Sequence, residues 1–401
     1  MEQNLQKNYA NLTDITIREY KTIFLPKNFL SQKIAECIWH NYSSYLNIDF
    51  PSAKTGNKWK LTARGWVGYL AISDNKNITI EPKVSVKQFF QMIECAFDIR
   101  VKTFTQLSKC ASIHAFYNFL AKILIEKIRR IKHLGLTRSV TEKQEWLPHV
   151  RGKIQLRESW KKRHQFFVHF DEHSVNNFDN QVLIATLRVI LYNTRCFEQL
   201  QQQARETYYW LCKHVSSSLI PQQELLARLQ RGNHYNRLNA HYKPIHALCR
   251  FFLSHTAPLK SKGDHPVTSF LVNMPYLYEK FVANWLGNNL KGSFRLTTKE
   301  KITFCEKHFS FVIDMVLYKN NQPFCVIDTK YKNVTKPPHA DIFQIISYAK
   351  LRKCSQAILI YPCALEHKLD QKIGNIRVRS LSFMLDNDLQ TTGNKFLRDL
   401  L

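Results

Sequence analysis

Two apolar runs joined by a polar turn stand out in the carboxyl-terminal part of the chain. They extend from Phe309 to Leu317 and from Phe324 to Lys332, and Lys-Asn-Asn-Gln-Pro lies between them. Runs of this length, rich in Val, Ile, Phe and Tyr and separated by Asn and Pro, predict a β-hairpin. Helical spacing at 275–290 and 339–351, with strand-like runs at 294–297, 356–361 and 376–382, surrounds it. This order predicts a mixed sheet flanked by helices.

The part of the chain that precedes these elements has a different pattern of apolar and polar residues. Short strand-like runs at 58–62, 66–72 and 78–83, separated by Gly and by Asp or Asn turns, predict a small antiparallel sheet or barrel. Apolar residues then follow helical spacing from 87 to 133 and over most of 181–254.

The predicted fold class is α/β, a mixed α+β multidomain protein. Its expected parts are a β-rich and helical amino-terminal domain, a mostly helical connecting region, and the domain with the mixed sheet. The boundaries are 1–134, 135–260 and 261–401, and the polar stretch 260–266 marks the last of them.

The charge of the chain predicts a polyanionic partner. The 401 residues include 58 Lys and Arg against 31 Asp and Glu, a net charge of +27. Such an excess attracts nucleic acid and speeds encounter with it. The ten cysteines include no Cys-x-x-Cys pair, so a structural zinc site is not expected. No signal peptide or membrane-length apolar run is evident, which predicts a cytoplasmic protein without a membrane partner.

Candidate chemistry is concentrated in the hairpin and the helices beside it. Asp314 lies in the first run, and Asp328 lies in the second with Lys330 two residues later. Side chains alternate along a strand, so Asp328 and Lys330 share a face. A carboxylate among apolar residues is costly unless it is paired or binds a metal ion. Taken alone, Asp328 and Lys330 are more often a strand-edge ion pair than a catalytic pair.

Three further residues favour a catalytic site over a simple ion pair. Glu279 lies on the predicted helix before the sheet, and Gln344 and Tyr348 lie at i, i+4 spacing on the helix after it. Phosphodiester hydrolysis needs a metal ion that polarises the phosphate and activates water. Hard oxygen ligands suit Mg²⁺, with Mn²⁺ as an alternative ion. We expect Asp314, Asp328 and Glu279 to bind the metal.

The remaining candidate residues have positioning or electrostatic roles in this hypothesis. Lys330 would orient the water or stabilise negative charge that develops on the phosphate. Gln344 would position Lys330 or the water, and Tyr348 would brace the site or contact a phosphate. All six residues are therefore candidates for the catalytic site.

At these positions the sequence resembles the PD-(D/E)xK nuclease superfamily. Ile313-Asp314 corresponds to the "PD" element, without its proline, and Asp328-Thr-Lys330 corresponds to "DxK". Gln344-x-x-x-Tyr348 is similar to an element of the branch that contains RecB-like nucleases. The resemblance implies a PD-(D/E)xK fold for the last domain.

A wider set of short motifs resembles the McrC family. These motifs are Val67-Gly-Tyr-Leu70, Ile78-Thr-Ile-Glu-Pro-Lys83, Val150-Arg-Gly-Lys-Ile154, Asn176-Asn-Phe-Asp-Asn180, Leu277-Tyr-Glu-Lys-Phe-Val282 and Asp328-Thr-Lys-Tyr-Lys332. McrC-like proteins are nuclease subunits of McrBC-type systems that restrict 5-methylcytosine DNA. The resemblance implies that the amino-terminal domain engages a separate AAA+ GTPase of the McrB type, which recognises and translocates the DNA.

The sequence has no Gly-x-x-x-x-Gly-Lys-Ser/Thr phosphate loop, so no nucleotide is expected to bind this chain. The resulting prediction is a Mg²⁺-dependent DNA endonuclease subunit that acts on double-stranded, modified DNA with a McrB-like motor. Two alternatives stay open. One is a stand-alone PD-(D/E)xK nuclease in DNA repair, and the other is a non-catalytic basic DNA-binding or assembly factor.

Overall fold

The computed structural model describes residues 14–73, 76–99, 112–192, 197–216, 220–258, 268–304, 309–385 and 389–401. By mutual contacts the chain forms two compact units. The described residues before Ser112 form the first unit together with those from Leu271 onward, and Ser112–Phe270 form the second. Residues 113–134 therefore belong to the second unit, whereas the sequence pattern grouped them with the amino-terminal domain. The functional division into three domains stays a prediction.

The amino-terminal part of the first unit contains a three-stranded sheet and three strands of a five-stranded sheet. Its elements are β1 (Asp14–Arg18), β2 (Thr22–Leu25), α1 (Gln32–Tyr42), β3 (Leu46–Asp49), β4 (Trp59–Ala63), β5 (Trp66–Ser73), β6 (Lys76–Glu81) and α2 (Val86–Phe97). β4 pairs antiparallel with β2 and β3, and it buries every second residue, as a strand with one apolar face should. β6 pairs antiparallel with β5 but parallel with β1. The strands at 58–83 are thus where the sequence predicts them, although they belong to two sheets.

The second unit is mostly helical but includes a small sheet. Its elements are α3 (Ile113–Leu134), β7 (Ser139–Leu147), β8 (Lys153–Ile154), α4 (Leu156–Ser159), β9 (Phe166–Ser174), α5 (Phe178–Leu191), α6 (Glu198–Cys212), α7 (Gln222–Arg231), α8 (Lys243–His255) and β10 (Thr256–Pro258). β9 pairs antiparallel with β7 and with β8. The nine-residue strand β7 was not predicted. Residues 100–111 of the predicted helical stretch and the polar stretch 260–266 lie outside the described residues.

The carboxyl-terminal part of the first unit is a six-stranded mixed sheet with helices. It follows β11 (Thr268–Asn273), a strand of the five-stranded sheet whose residues from Leu271 onward belong to the first unit. Its elements are α9 (Met274–Asn289), β12 (Phe294–Phe304), β13 (Phe309–Lys319), β14 (Gln322–Thr329), α10 (His339–Arg352), β15 (Gln356–Tyr361), β16 (Asp370–Ile373), β17 (Ile376–Ser382) and α11 (Leu389–Leu400). The sheet order is β12-β13-β14-β15-β17-β16. β12, β13 and β14 are antiparallel neighbours, whereas β14, β15 and β17 run parallel. The mixed α+β class predicted from the sequence is confirmed.

The predicted hairpin is β13 and β14. Its turn residues Asn320 and Asn321 have φ angles of 49° and 62°. Asn tolerates this left-handed conformation better than most residues, and the resulting turn matches the twist of a hairpin. α10 covers the sheet, and its buried residues Ile345 and Ala349 share a core with Val326. Among the described helices, none has both the length and the apolar character needed to cross a membrane.

Candidate active site

Asp328 and Lys330 lie at the end of β14, which runs between β13 and β15 inside the sheet. Val326 and Ile327 are fully buried, as expected for a strand that packs on both faces. Asp328 follows directly, is only 1% exposed, and pairs in register with Leu359 of β15. A carboxylate in such surroundings needs a cation or hydrogen-bond donors.

Lys330 is one of the groups that stabilise Asp328. Its Nζ lies 2.7 Å from Asp328 Oδ2 and donates to Gln344 Oε1 over 2.8 Å. Gln344 Nε2 in turn donates to Tyr348 Oη over 2.9 Å. Gln344 and Tyr348 share one face of α10 because they are four residues apart. These four predicted site residues therefore form one series of polar contacts from the strand to the helix.

Glu279 of α9 and Asp314 of β13 meet at a second lysine. Lys299 Nζ lies 2.6 Å from Glu279 Oε1 and 2.9 Å from Asp314 Oδ1. The Lys299 side chain is 49% exposed, whereas those of Glu279 and Asp314 are 18% and 26% exposed. The site therefore opens to solvent on the side of Lys299.

Lys299 was missed by the sequence reasoning. Lys299 and Asp314 lie between two paired positions of β12 and β13, Thr298 with Met315 and Glu300 with Ile313. The φ of Lys299, 55°, lies in the left-handed region, so the strand is irregular at this residue. Extending the predicted hairpin by one more antiparallel strand could have indicated that a lysine faces Asp314.

The acids of the site influence one another. Burial raises the pKa of Asp328 above its usual range, Lys330 opposes this effect, and the neighbouring Asp314 adds to it. Burial also raises the pKa of Glu279, against the hydrogen bond from Lys299 and with the help of Asp314. Burial alone would lower the pKa of Lys299, but hydrogen bonds to Glu279 and Asp314 outweigh it and raise that pKa. Asp314 thus links the two lysine-centred clusters into one site.

The donor set fits a hard divalent cation. Glu279 and Asp314 contact the same Lys299 ammonium group, and Asp314 also interacts with Asp328 on the neighbouring strand. Carboxylate oxygens are ligands that suit Mg²⁺ and Mn²⁺. Burial is the main cause of the raised pKa of Glu279 and of Asp328, and a cation bound beside these carboxylates would lower both values. The metal-binding and catalytic roles of the six candidate residues stay predictions.

Tyr331, next to Lys330, connects the site strand to the amino-terminal sheet of the same unit. Its hydroxyl donates to Glu19 Oε1 over 2.9 Å, and Glu19 Oε1 also accepts from the backbone N–H of Lys83 over 2.7 Å. Lys83 Nζ lies 3.7 Å from the centre of the Tyr331 ring and 3.4 Å from the Tyr331 carbonyl oxygen. The Lys83 of the Ile78–Lys83 motif is therefore in contact with the chain segment that follows the candidate catalytic lysine.

A second contact joins α2 to α9, the helix that carries Glu279. Asn284 Nδ2 donates to the carbonyl oxygens of Cys95 and Ala96 over 3.2 Å and 2.8 Å. Lys280 Nζ lies 3.8 Å from the centre of the Phe97 ring. Amino-terminal elements therefore support both the helix and the strand of the candidate site.

Comparison with protein-family models gives one match. The model of the McrBC 5-methylcytosine restriction system component matches residues 61–362. The chain belongs to this family. The matched segment includes all six candidate residues as well as Lys83 and Tyr331. The match therefore spans β5 and β6, the second unit and the segment that carries the candidate site.

Solved structures show the same fold. A chain in the refined half-complex from the tetradecameric assembly of Thermococcus gammatolerans McrB AAA+ hexamers with bound McrC is similar, with a TM-score of 0.60 and 17% sequence identity over 97% of this chain and 100% of that chain. A chain of the Thermococcus gammatolerans McrBC complex is 18% identical over 70% of this chain and 88% of that chain, with a TM-score of 0.48. The first of these supports the fold. A search of curated proteins finds no significant match.

Proposed function

We propose that this chain is the McrC-like nuclease subunit of a modified-DNA restriction system, a Mg²⁺-dependent DNA endonuclease activated by a separate AAA+ GTPase. The convergence of Glu279, Asp314 and Asp328 beside Lys330 carries this proposal. The McrBC family match supports it because all of these residues lie within the matched segment.

Each candidate residue has a role that its contacts support. Glu279, Asp314 and Asp328 would hold the Mg²⁺ ion, which when bound polarises the phosphate and lowers the pKa of water. Lys330 places a positive charge beside Asp328, where it can stabilise negative charge that develops on the phosphate. Gln344 accepts a hydrogen bond from Lys330 and is itself held by Tyr348, so these two residues orient the ammonium group.

DNA is the substrate that the charge of the chain favours. The net charge of +27 supplies the non-specific attraction on which phosphate binding depends. In the second unit, the side chain of Trp160 is 87% exposed and precedes Lys161, Lys162 and Arg163. An exposed aromatic ring next to basic residues can stack on a base while the cations contact phosphates. This segment is a candidate for DNA contact outside the cutting site.

A McrB-like AAA+ GTPase is the proposed partner. The McrC in the similar assembly is described as bound to McrB AAA+ hexamers. This chain contains no phosphate-loop motif of its own, so the nucleotide-hydrolysing motor would be a second protein. Double-stranded DNA with 5-methylcytosine is the proposed substrate because the matched family acts in 5-methylcytosine restriction.

Reconstitution with the motor tests the proposal. Methylated and unmethylated DNA would be incubated with this chain, with the McrB-like partner, or with both, in GTP and either Mg²⁺ or EDTA. We expect cleavage of methylated DNA only with both proteins and Mg²⁺. Equal cleavage by this chain alone would favour a self-sufficient repair nuclease. DNA binding without cleavage under every condition would favour a non-catalytic assembly factor.

A further inference from the structure

Three potential metal ligands meet inside the second unit, far from the nuclease motif in sequence. Asp179 lies in the first turn of α5, His234 in the segment after α7, and His246 on α8. One ligand atom from each residue lies within 4.8 Å of the other two. Asp179 Oδ1 is 4.0 Å from His234 Nε2 and 4.0 Å from His246 Nδ1. These separations are too long for hydrogen bonds but leave room for an ion between the three atoms.

Hydrogen bonds around the cluster orient its inner atoms, and the Tyr235 hydroxyl lies 3.0 Å from one of them, His246 Nδ1. His246 Nε2 lies 3.1 Å from the Asp179 carbonyl oxygen. Since that oxygen can only accept, Nε2 carries the proton and Nδ1, which faces Asp179 Oδ1, carries the lone pair. Asp179 Oδ2 accepts from Asn239 Nδ2 over 2.9 Å, so Oδ1 is the oxygen that faces the histidines. A metal-binding histidine commonly donates its other N–H to a carbonyl oxygen in this way.

His234 supplies an independent sign of a missing ligand. Both of its ring nitrogens are shielded from solvent and have no hydrogen-bond partner among the described residues. Burying such groups without a hydrogen-bond partner is unfavourable. A cation bound by Nε2 would remove this cost for one nitrogen. The backbone carbonyl of His234 accepts from Asn239 Nδ2 over 3.0 Å, so the residue that orients Asp179 also holds the His234 backbone.

We propose that Asp179, His234 and His246 bind a divalent transition-metal ion of the zinc class. Bond lengths of about 2.0–2.2 Å place tetrahedral ligands about 3.3 Å apart. Asp179 Oδ1, now 4.0 Å from each histidine nitrogen, must therefore approach both by about 0.7 Å, and the two nitrogens, which lie within 4.8 Å of each other, must approach by up to about 1.5 Å. His234, which lies outside the helices, can move toward Asp179, whereas the gap between Asp179 and His246 would close through rotation of their side chains. The Tyr235 hydroxyl, which now lies 3.0 Å from His246 Nδ1, would leave that nitrogen.

The surroundings favour zinc over a hard cation. The cluster borders a cavity of about 740 Å³ that Arg138 and Arg228 also line. Their positive charges would repel an ion held by charge alone, whereas Zn²⁺ forms strong bonds with imidazole nitrogens. Water from the cavity would complete the coordination. The ion would tie the start of α5 to α8 and to the segment after α7, although the cysteine pattern predicted no structural zinc.

Metal titration of the full-length chain tests this site. Chelator-treated protein would be titrated with Zn²⁺ by calorimetry and with Co²⁺ by visible absorption, with millimolar Mg²⁺ present to occupy the nuclease site. We expect one tightly bound Zn²⁺ per chain, an increase in Tm, and the absorption bands of Co²⁺ with nitrogen and oxygen ligands. Absence of stoichiometric Zn²⁺ binding to the wild-type chain would overturn the proposal.

Variants assign the binding to these residues. His234→Ala and Asp179→Asn should each lower Zn²⁺ affinity at least about tenfold, since each loses a direct ligand. His173→Ala is the matched control, because His173 lines the same cavity without belonging to the cluster, and it should bind Zn²⁺ like the wild type. Asp314→Asn should also retain binding, because it alters only the nuclease site. Zn²⁺ binding that is unchanged in both His234→Ala and Asp179→Asn would refute the assignment.

Discussion

Lys299 donates a hydrogen bond to Asp314 between the first two strands of the six-stranded sheet, with Nζ 2.9 Å from Oδ1. The same ammonium group lies 2.6 Å from Glu279 Oε1. Lys299 therefore occupies the position from which a metal ion would contact both acids. We infer that the lysine acts as their counterion in the absence of metal and is displaced when the ion binds.

Replacing Lys299 should consequently strengthen metal binding. Partly exposed ion pairs contribute about 0.2–1 kcal/mol, so Lys299→Met should tighten Mg²⁺ binding by about two- to fivefold. Calorimetric titration of the full chain with Mg²⁺ measures this change. Lys301→Met, which alters an exposed lysine on the same strand, serves as the control and should leave the affinity unchanged. Weaker Mg²⁺ binding by Lys299→Met would contradict the displacement model.

Asp314→Ala should separate metal binding from assembly. The variant loses a proposed ligand, so Mg²⁺ affinity should fall by at least about tenfold. Association with the McrB-like partner should be unaffected, because the substitution is confined to the acidic site. Size-exclusion chromatography and Mg²⁺ titration together measure both properties. Asp370→Ala, at an exposed acid on β16, should change neither, and loss of association by Asp314→Ala would show that the change damages the fold instead.

The contact between Tyr331 and Glu19 should stabilise the first unit. Glu19 is only 2% exposed, and Tyr331 donates to it over 2.9 Å. Hydrogen bonds to charged groups contribute about 1.5–3 kcal/mol, and Tyr331→Phe should lower the free energy of unfolding by about that amount. Denaturant unfolding measures the loss. Tyr276→Phe, at a 44% exposed tyrosine of α9, should change stability by less than about 0.5 kcal/mol.

A double-mutant cycle tests whether these two residues act together. Once Glu19→Gln has altered the acceptor, Tyr331→Phe should cost less than it does in the wild type. Strictly additive effects of the two substitutions would mean that the hydrogen bond contributes nothing to stability.

Gly152 should tolerate no side chain. Its φ is +73°, and a Cβ atom there would lie 2.4 Å from the His169 carbonyl oxygen and 2.8 Å from Phe170 Cβ. Gly152→Ala should therefore destabilise the protein by about 2–4 kcal/mol, through backbone strain and steric overlap together. Gly292 has a φ of +70° with open space around it, so Gly292→Ala isolates the strain and should cost about 1 kcal/mol. Equal losses of Tm in the two variants would argue against a steric contribution at Gly152.

The sequence predicted the elements of the candidate site because its strands and helices carry strong local patterns. Asp328 and Lys330 follow a buried run, and Gln344 and Tyr348 share a helix face, so their proximity needed only the hairpin and one following helix. Lys299 was not predicted to belong to the site because its proximity to Asp314 depends on the register in which two strands pair. The Glu19–Tyr331 contact joins residues 312 positions apart, and no local pattern indicates such a contact.

The strand β7 was not predicted for a different reason. Val140 and Gln144 are exposed, and Trp146 is only partly buried, so β7 has no continuous apolar face. Hydrophobic alternation is the main sequence signal of a strand, and here it is weak. The strand is instead defined by its pairing with β9 along nine residues.

We propose that Asp328 and Lys330 belong to the site that cleaves DNA, and that a partner motor controls the access of DNA to this site. Cleavage of methylated DNA by the reconstituted complex, measured alongside GTP hydrolysis, tests this claim most directly. Asp328→Ala and Lys330→Ala should each reduce cleavage by at least about a hundredfold without lowering GTP hydrolysis, and Lys336→Ala, at an exposed lysine, should resemble the wild type. Full cleavage by the Asp328→Ala and Lys330→Ala complexes would contradict the assignment of the active site.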